Sequence, residues 1–297
     1  MSNHYLNLML QVDKLHRHNR QGSYMTRARY YEAARRFCRF LAEAFRLERL
    51  ANIALKHIYA YVSYLQANGK SASTIKTDLS AIRFFHDRIP NPRYELPGND
   101  ALLLQHRTFG GVDRTWSAGE FERMHALAVR HGREDFASAL LLGRFAGLRI
   151  HECFRIDTAT AAKAVKENAL TIKGKGGLIR TVPLAACLVE RLQQDLKRTP
   201  RGHKLYVPDS QKTHEAIKSL QAFIWLNRSL VQDEGSTRPM TFHGLRHTYA
   251  SEKYQGFIAA GRTPYEARKA VSMLLGHGRD DVTRIYLASL KEGRKDD

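Results

Sequence analysis

His243 and Arg246 stand three residues apart in the string Thr241-Phe242-His243-Gly244-Leu245-Arg246-His247-Thr248. On a helix that spacing puts both side chains on one face, where they can grip one anion. The chain has 14 histidines, so a bare pair of this kind also arises by chance, as an ordinary polar helix start. Arg149 follows Ala146-Gly147-Leu148 and precedes Ile150-His151-Glu152. Its apolar neighbours carry it into a partly buried place, and a buried arginine needs an anion or several acceptors. Glu152 can hold it as a structural pair, or an anionic ligand can. Lys175 sits at the turn of Lys173-Gly174-Lys175-Gly176-Gly177, where a lysine is either solvated or able to reach a groove and give up a proton. His277, in Leu275-Gly276-His277-Gly278, reads as a helix-end cap or as a donor to an oxyanion. Tyr286, nine residues on, reads as an aromatic packed beside Val282 or as a nucleophile.

The elements that must position these groups fall into two parts. In the first, Tyr31, Ala34, Phe37, Cys38, Leu41 and Phe45 recur at helical spacing within 24–50. Arg27 lies near the start of that helix, and Arg29, Arg35, Arg36 and Arg39 lie on its other face with Glu32 and Glu43 among them. That face is either merely solvated or a polyanion contact. Helices are predicted over 53–66, stopped by Gly69, and over 73–88, the latter carrying Lys76 and Arg83. Prolines and glycines from Pro90 to Gly111 mark a linker, and Ser117 with Glu120 opens a new helix as a capping box. The domain boundary is placed at residue 112, giving domains 1–112 and 113–297. In the second part helices are predicted over 117–131, 134–147, 185–198, 212–231, 242–254, 264–275 and 279–290. Leu170–Lys173 and Ile179–Val182 read as two strands around the glycine turn. The fold class is mainly α with a small β-sheet.

Charge narrows the partners. Forty-eight Lys and Arg against 29 Asp and Glu leave a net +19. Residues 1–112 hold 17 bases and 8 acids, a net +9, and residues 113–297 hold the remaining +10. An excess of this size costs stability through self-repulsion unless a polyanion neutralises it. Its spread suggests that both parts touch that polyanion, with nucleic acid ahead of an anionic membrane. No apolar run reaches the roughly 18 residues that span a bilayer, and no secretory h-region opens the chain. Cys38, Cys153 and Cys187 are odd in number and far apart, so they predict reduced, mostly buried thiols in a cytosolic protein, and no metal site.

The order Arg149, Lys175, His243-x-x-Arg246, His277, Tyr286 resembles the tyrosine recombinases, the phage-integrase and Xer-like enzymes. The local strings Ala146-Gly147-Leu148-Arg149-Ile150-x-Glu152, Lys173-Gly174-Lys175-Gly176-Gly177, His243-x-Leu245-Arg246-His247-Thr248 and Leu275-Gly276-His277 agree with that family. The helical first part, at Ser73-Thr74-Ile75 to Phe85, is similar to its core-DNA-binding domain. The resemblance implies a two-domain DNA clamp with an α+β catalytic domain. It also implies cleavage and rejoining through a 3′-phosphotyrosine on Tyr286, and a homotetramer on two DNA sites. Arg149, Arg246 and His277 would hold the non-bridging oxygens, and Glu152 would orient Arg149. His243 would assist proton transfer from the tyrosine, and Lys175 would protonate the leaving 5′-oxygen. Lys173 is the competing lysine. Arg27, Arg29, Arg35, Arg36, Arg39, Lys76 and Arg83 would touch DNA. No cofactor and no metal are implied. The expected setting is the cytoplasm and nucleoid of a prokaryote or mobile-element host, with accessory DNA-bending proteins as further partners.

The chain departs from the simple family pattern at four places. The stretch from Arg246 to His277 is longer, with 253–264 the extra piece. Leu178 and Ile179 stand where many members carry charge. Only 11 residues follow Tyr286, against an extended tail, and about 20 precede the first predicted helix, against a separate arm-binding domain. Three other readings share part of the pattern. A catalytically silent DNA-binding regulator needs the charge and not Tyr286. A type IB topoisomerase-like enzyme shares the chemistry without pairing sites. A metal-dependent nuclease would be stopped by EDTA.

Overall fold

A computed structural model describes residues 2–102, 104, 112–174, 177–276 and 280–290, with the backbone alone for 280–282. Lys175 and His277 therefore lie outside the described residues. The chain divides into two compact units, Met1–Thr108 and Phe109–Asp297, against an expected boundary at residue 112.

The first unit is helical: α1 (Asn3–Arg17), α2 (Tyr24–Phe45), α3 (Leu55–Ala67) and α4 (Ala72–His86), with a 3₁₀ turn at Leu50–Asn52. Ser23 and Ser71 cap α2 and α4 by accepting from the backbone N–H of Thr26 and Thr74. Leu8, Val12, Phe37, Leu41, Ile58, Tyr61, Leu79 and Ile82 form its core. Each fully buried leucine or isoleucine there contributes about 1.5–3 kcal/mol.

Two expectations are corrected in this unit. The segment taken to precede the first helix is itself α1. Its buried residues Leu8, Met9 and Val12 face α2, and Gln11 ties it to the segment after α2 by donating to the Glu48 carbonyl at 2.8 Å and accepting from Leu50 N–H at 3.0 Å. These are long-range contacts with no local signature. The second helix ends at Phe45 and not at Leu50, because Arg46 takes a left-handed conformation with φ 50°.

The second unit contains α5 (Ala118–Arg130), α6 (Glu134–Phe145), α7 (Ile150–Cys153) and α8 (Thr158–Glu167). The antiparallel strands β1 (Ala169–Lys173) and β2 (Ile179–Pro183) follow. Then come α9 (Ala186–Arg198), α10 (Thr213–Val231), α11 (Phe242–Ala259), α12 (Pro264–Leu275) and α13 (Asp280–Tyr286). Ser117 and Glu120 form the expected reciprocal cap of α5, at 3.0 and 2.8 Å. The sequence pattern proposes no element for 150–168, where α7 and α8 form, the latter capped by Asp157. The last predicted helix stops at Tyr286 and is followed by a 3₁₀ turn, Ala288–Leu290.

The core of this unit runs from Trp116 through α5, α6, α9 and α10 to Leu245. In the hairpin, Leu170 pairs with Val182 and Ile172 with Arg180. Leu170, Ile172, Arg180 and Val182 are the buried positions of the two strands. Trp116 fixes the start of α11: its indole N–H donates to the Thr241 carbonyl at 3.0 Å, and its backbone N–H donates to Thr248 Oγ1 at 2.8 Å. No helix among the described residues is long and apolar enough to cross a membrane. Cys38 and Cys153 are buried and Cys187 is exposed, all as free thiols.

Candidate active site

Arg246 is the centre of the site. It lies on α11 and is 0 % exposed, which no surface ion pair would require. Its guanidinium donates to the carbonyls of Gly147 and Leu275, joining the end of α6 to the end of α12. Burial pushes its pKa down, and the phenol of Tyr286 works against this as a hydrogen-bond partner. The net value, about 10, leaves the group charged at neutral pH. Gly147 makes the first contact possible. Its φ is +61°, and a Cβ there would lie 2.4 Å from the Tyr249 ring.

Tyr286, the last residue of α13, is buried against Tyr249, Ala250, Val271 and Leu275. Its ring centroid stands 5.5 Å from the Arg246 guanidinium carbon, 5.4 Å from the His243 ring and 4.6 Å from the His247 ring. The two histidines are one turn apart on α11, with their rings 5.2 Å apart. His247 is buried, and burial with the nearby His243 and Arg114 pushes its pKa down to about 3. His243 presents an exposed side chain at the mouth of the site. Even so, the protein crowded around its ring and the charges of Arg246, Arg149 and Arg114 hold it well below the usual histidine value. Both imidazoles are neutral at pH 7.

Arg149 sits at the start of α7. Its guanidinium donates to Glu152 Oε1 at 3.0 Å and its backbone N–H to Glu152 Oε2 at 2.8 Å. The stronger grip on Glu152 comes from a residue that the motifs do not contain. Arg180 of β2 donates to both carboxylate oxygens, at 2.9 and 2.7 Å, and both side chains are buried. Burial opposes the charge on Glu152, and the Arg180 hydrogen bonds outweigh it, holding the carboxyl at about 2. Arg180 has a sequence signal: strand alternation puts it on the same face as Val182, which makes it a buried arginine in search of a carboxylate. His247 has a weaker one, its i,i+4 spacing from His243.

The structure thus brings Arg149, Glu152, His243, Arg246 and Tyr286 together within the second unit. A cavity of about 340 Å³ opens beside them, lined by Arg149, His151, His243, Trp225 and Arg228 among others. Lys173 ends β1 as an exposed strand residue, two positions before Lys175. Among the described residues no group of three or more His, Cys, Asp or Glu is placed to hold a metal ion.

The basic residues of the first unit divide in two. Arg36 donates from Nη2 to both oxygens of buried Asp78, at 2.8 and 3.0 Å, and Tyr61 donates to the same carboxylate. Arg83 donates to the Pro97 carbonyl and to Asn99 Oδ1, and Arg27 to the Asn19 carbonyl. These three brace the helices. Arg29, Arg35 and Arg39 are exposed on α2, as Arg36 is, with Arg35 paired to Glu32 and Arg39 over the Tyr5 ring, and Lys76 is half-buried on α4.

Known proteins resemble this chain in sequence and in fold. Residues 15–88 match the family described as phage integrase, N-terminal SAM-like domain. The tyrosine recombinase XerC of Natranaerobius thermophilus is 23% identical over 283 residues, covering 89% of this chain and 88% of the relative. The tyrosine recombinase XerD of Oceanobacillus iheyensis is 24% identical, covering 82% of this chain and 80% of the relative. Among solved structures, a lambda integrase dimer bound to a COC′ core site superposes with TM-score 0.67 at 17% identity, covering 98% of both chains. A lambda integrase tetramer bound to a Holliday junction gives 0.60 at 17% identity, covering 94% of this chain and 76% of that one. Residues 122–292, more than half of the chain, match the phage integrase family itself, and with the two-domain helical fold this establishes that the chain belongs to that family, the tyrosine recombinases.

Proposed function

We propose that this recombinase cleaves and rejoins specific double-stranded DNA sites through a covalent 3′-phosphotyrosine on Tyr286. A phosphodiester is an anion that gains charge on its non-bridging oxygens as it is attacked. Arg149 and Arg246 supply forked donors to those oxygens, and His277 adds a third. Glu152 orients Arg149. The phenol oxygen of Tyr286 bonds to phosphorus while its proton passes to neutral His243. The bond to the 5′-oxygen breaks, and Lys175 protonates that oxygen. Reversal by another 5′-hydroxyl rejoins the strand without an external energy source.

The observation that carries this reading is the burial of Tyr286 against charged Arg246 and two neutral imidazoles, beside the Arg149–Glu152 pair. A DNA-binding regulator needs no such arrangement. Double-stranded DNA is the partner, met by the basic residues of both units, and the working assembly is a homotetramer on two sites. The setting is the bacterial cytoplasm and nucleoid, with accessory DNA-bending proteins as further partners.

The test is Tyr286→Phe, assayed on nicked duplexes selected by the full chain from a randomised pool. The variant keeps DNA affinity and yields no covalent adduct. An adduct of undiminished yield would show that another residue is the nucleophile.

A further inference from the structure

Arg180 does more than neutralise Glu152. A Cβ built on Gly174 would lie 3.5 Å from Arg180 Nη1 and 3.6 Å from Glu152 Oε1. A Cβ built on Gly276 would lie 2.8 Å from Arg180 Cδ, a distance no side chain could accept without something shifting. Gly174 is the residue before Lys175, and Gly276 is the residue before His277. The same guanidinium holds Glu152, which holds Arg149 through both its side chain and its backbone N–H. One buried arginine thus lies close against Gly276, within side-chain distance of Gly174, and one contact from Arg149.

We infer that Arg180 is a positioning residue that sets the backbone at Gly174 and Gly276 together with the Arg149 anion grip. The inference rests on the recombinase reading above. Three features give it physical content. Arg180 is anchored at its base by the β1–β2 pairing, opposite Ile172. Its fork is fixed by two hydrogen bonds to a carboxylate that is itself buried, so the head cannot wander. Finally, Gly276 has φ +66° and its backbone comes closer to the Arg180 side chain than a residue with a Cβ would permit, while a Cβ at Gly174 would be in ordinary contact with the guanidinium. Hairpin closure adds to this, with Gly174 N–H donating to the Leu178 carbonyl at 2.8 Å. A lysine could supply the charge but not the planar fork that holds both Glu152 oxygens at once.

The test compares Arg180→Lys, which keeps the charge, with the pair Glu152→Gln/Arg180→Met, which removes both buried charges and so avoids leaving either one uncompensated. Backbone amide exchange and single-turnover adduct formation are measured on the full chain, with the selected nicked duplex as probe. Exchange at Gly174 and Gly276 is expected to rise about tenfold or more in both variants while the melting temperature of the double variant stays near wild type. Adduct formation should fall about 10²-fold, the cost of a shift near 1 Å at a reacting centre, with DNA affinity changed less than about threefold. A duplex with sulfur as the bridging 5′-atom has a leaving group that hardly needs a proton. It should recover part of the loss in Arg180→Lys, as in Lys175→Ala, and none in Arg246→Ala. Unchanged exchange at both glycines, or wild-type adduct rates in both variants, overturns the inference. Failure of the recombinase reading looks different: wild type itself forms no adduct, and the exchange measurement alone then decides the role of Arg180.

Discussion

Replacing Gly147 by alanine tests whether the backbone that receives Arg246 is as tightly specified as it looks. Two costs add. A non-glycine residue at φ +61° meets its own carbonyl, at about 1–2 kcal/mol. The new Cβ also falls 2.4 Å from Tyr249 Cδ1 and 2.8 Å from Cε1, in a ring that is only 3 % exposed and has nowhere to go. Overpacking of this kind costs about 1–3 kcal/mol. The expected loss is therefore about 2–5 kcal/mol. Both tryptophans, Trp116 and Trp225, lie in this unit, so urea unfolding followed by tryptophan fluorescence reports it directly. The two costs separate in a Tyr249→Leu background, where the overlap is relieved and only the backbone strain of about 1–2 kcal/mol remains. Tyr249 packs in the same small cluster as Tyr286, so adduct formation should fall along with stability. A loss below about 0.5 kcal/mol, or the same loss in both backgrounds, would refute the reasoning.

Acid should weaken the second unit through His247. Burial keeps this imidazole neutral down to about pH 3, whereas the unfolded chain binds a proton near 6.5. Stability is therefore complete above 6.5 and falls by about 1.4 kcal/mol per pH unit as the pH drops from there toward 3. His247→Gln should flatten the measured dependence of unfolding free energy between pH 6 and 4, and an unchanged slope would assign the loss elsewhere. Removing the α5 cap by Ser117→Ala should cost about 1 kcal/mol. Glu120→Ala should cost more, about 2–3 kcal/mol, because Glu120 also accepts from Asp233 N–H and from Arg238. If urea midpoints put these two variants in the reverse order, the cap and not the buried carboxylate is the stronger tie.

The sequence by itself singled out the candidate groups Arg149, Glu152, His243, Arg246 and Tyr286 and the helix that bears His243 and Arg246, because these depend on local signals. Helical spacing places His243 and Arg246 on one face whatever the rest of the chain does. The Ser117–Glu120 box and the glycine turn between two β-branched runs are likewise complete within a few residues. The excess of 19 positive charges needs no fold to predict a polyanion. What only the tertiary structure decided are meetings across long separations. α1 forms because its apolar stripe finds α2 and the Glu48–Leu50 backbone, some forty residues away. Arg36, Arg83 and Arg27 read as members of a basic surface, yet the fold ties them to Asp78, Pro97 and Asn19, with Arg36 reaching its buried partner from an exposed position. Glu152 reads as the partner of Arg149 three residues before it, but its bidentate partner is Arg180, brought across from β2. A carboxylate in the sequence can be matched to any arginine. Only burial, which removes water as the alternative partner, decides which one it must have.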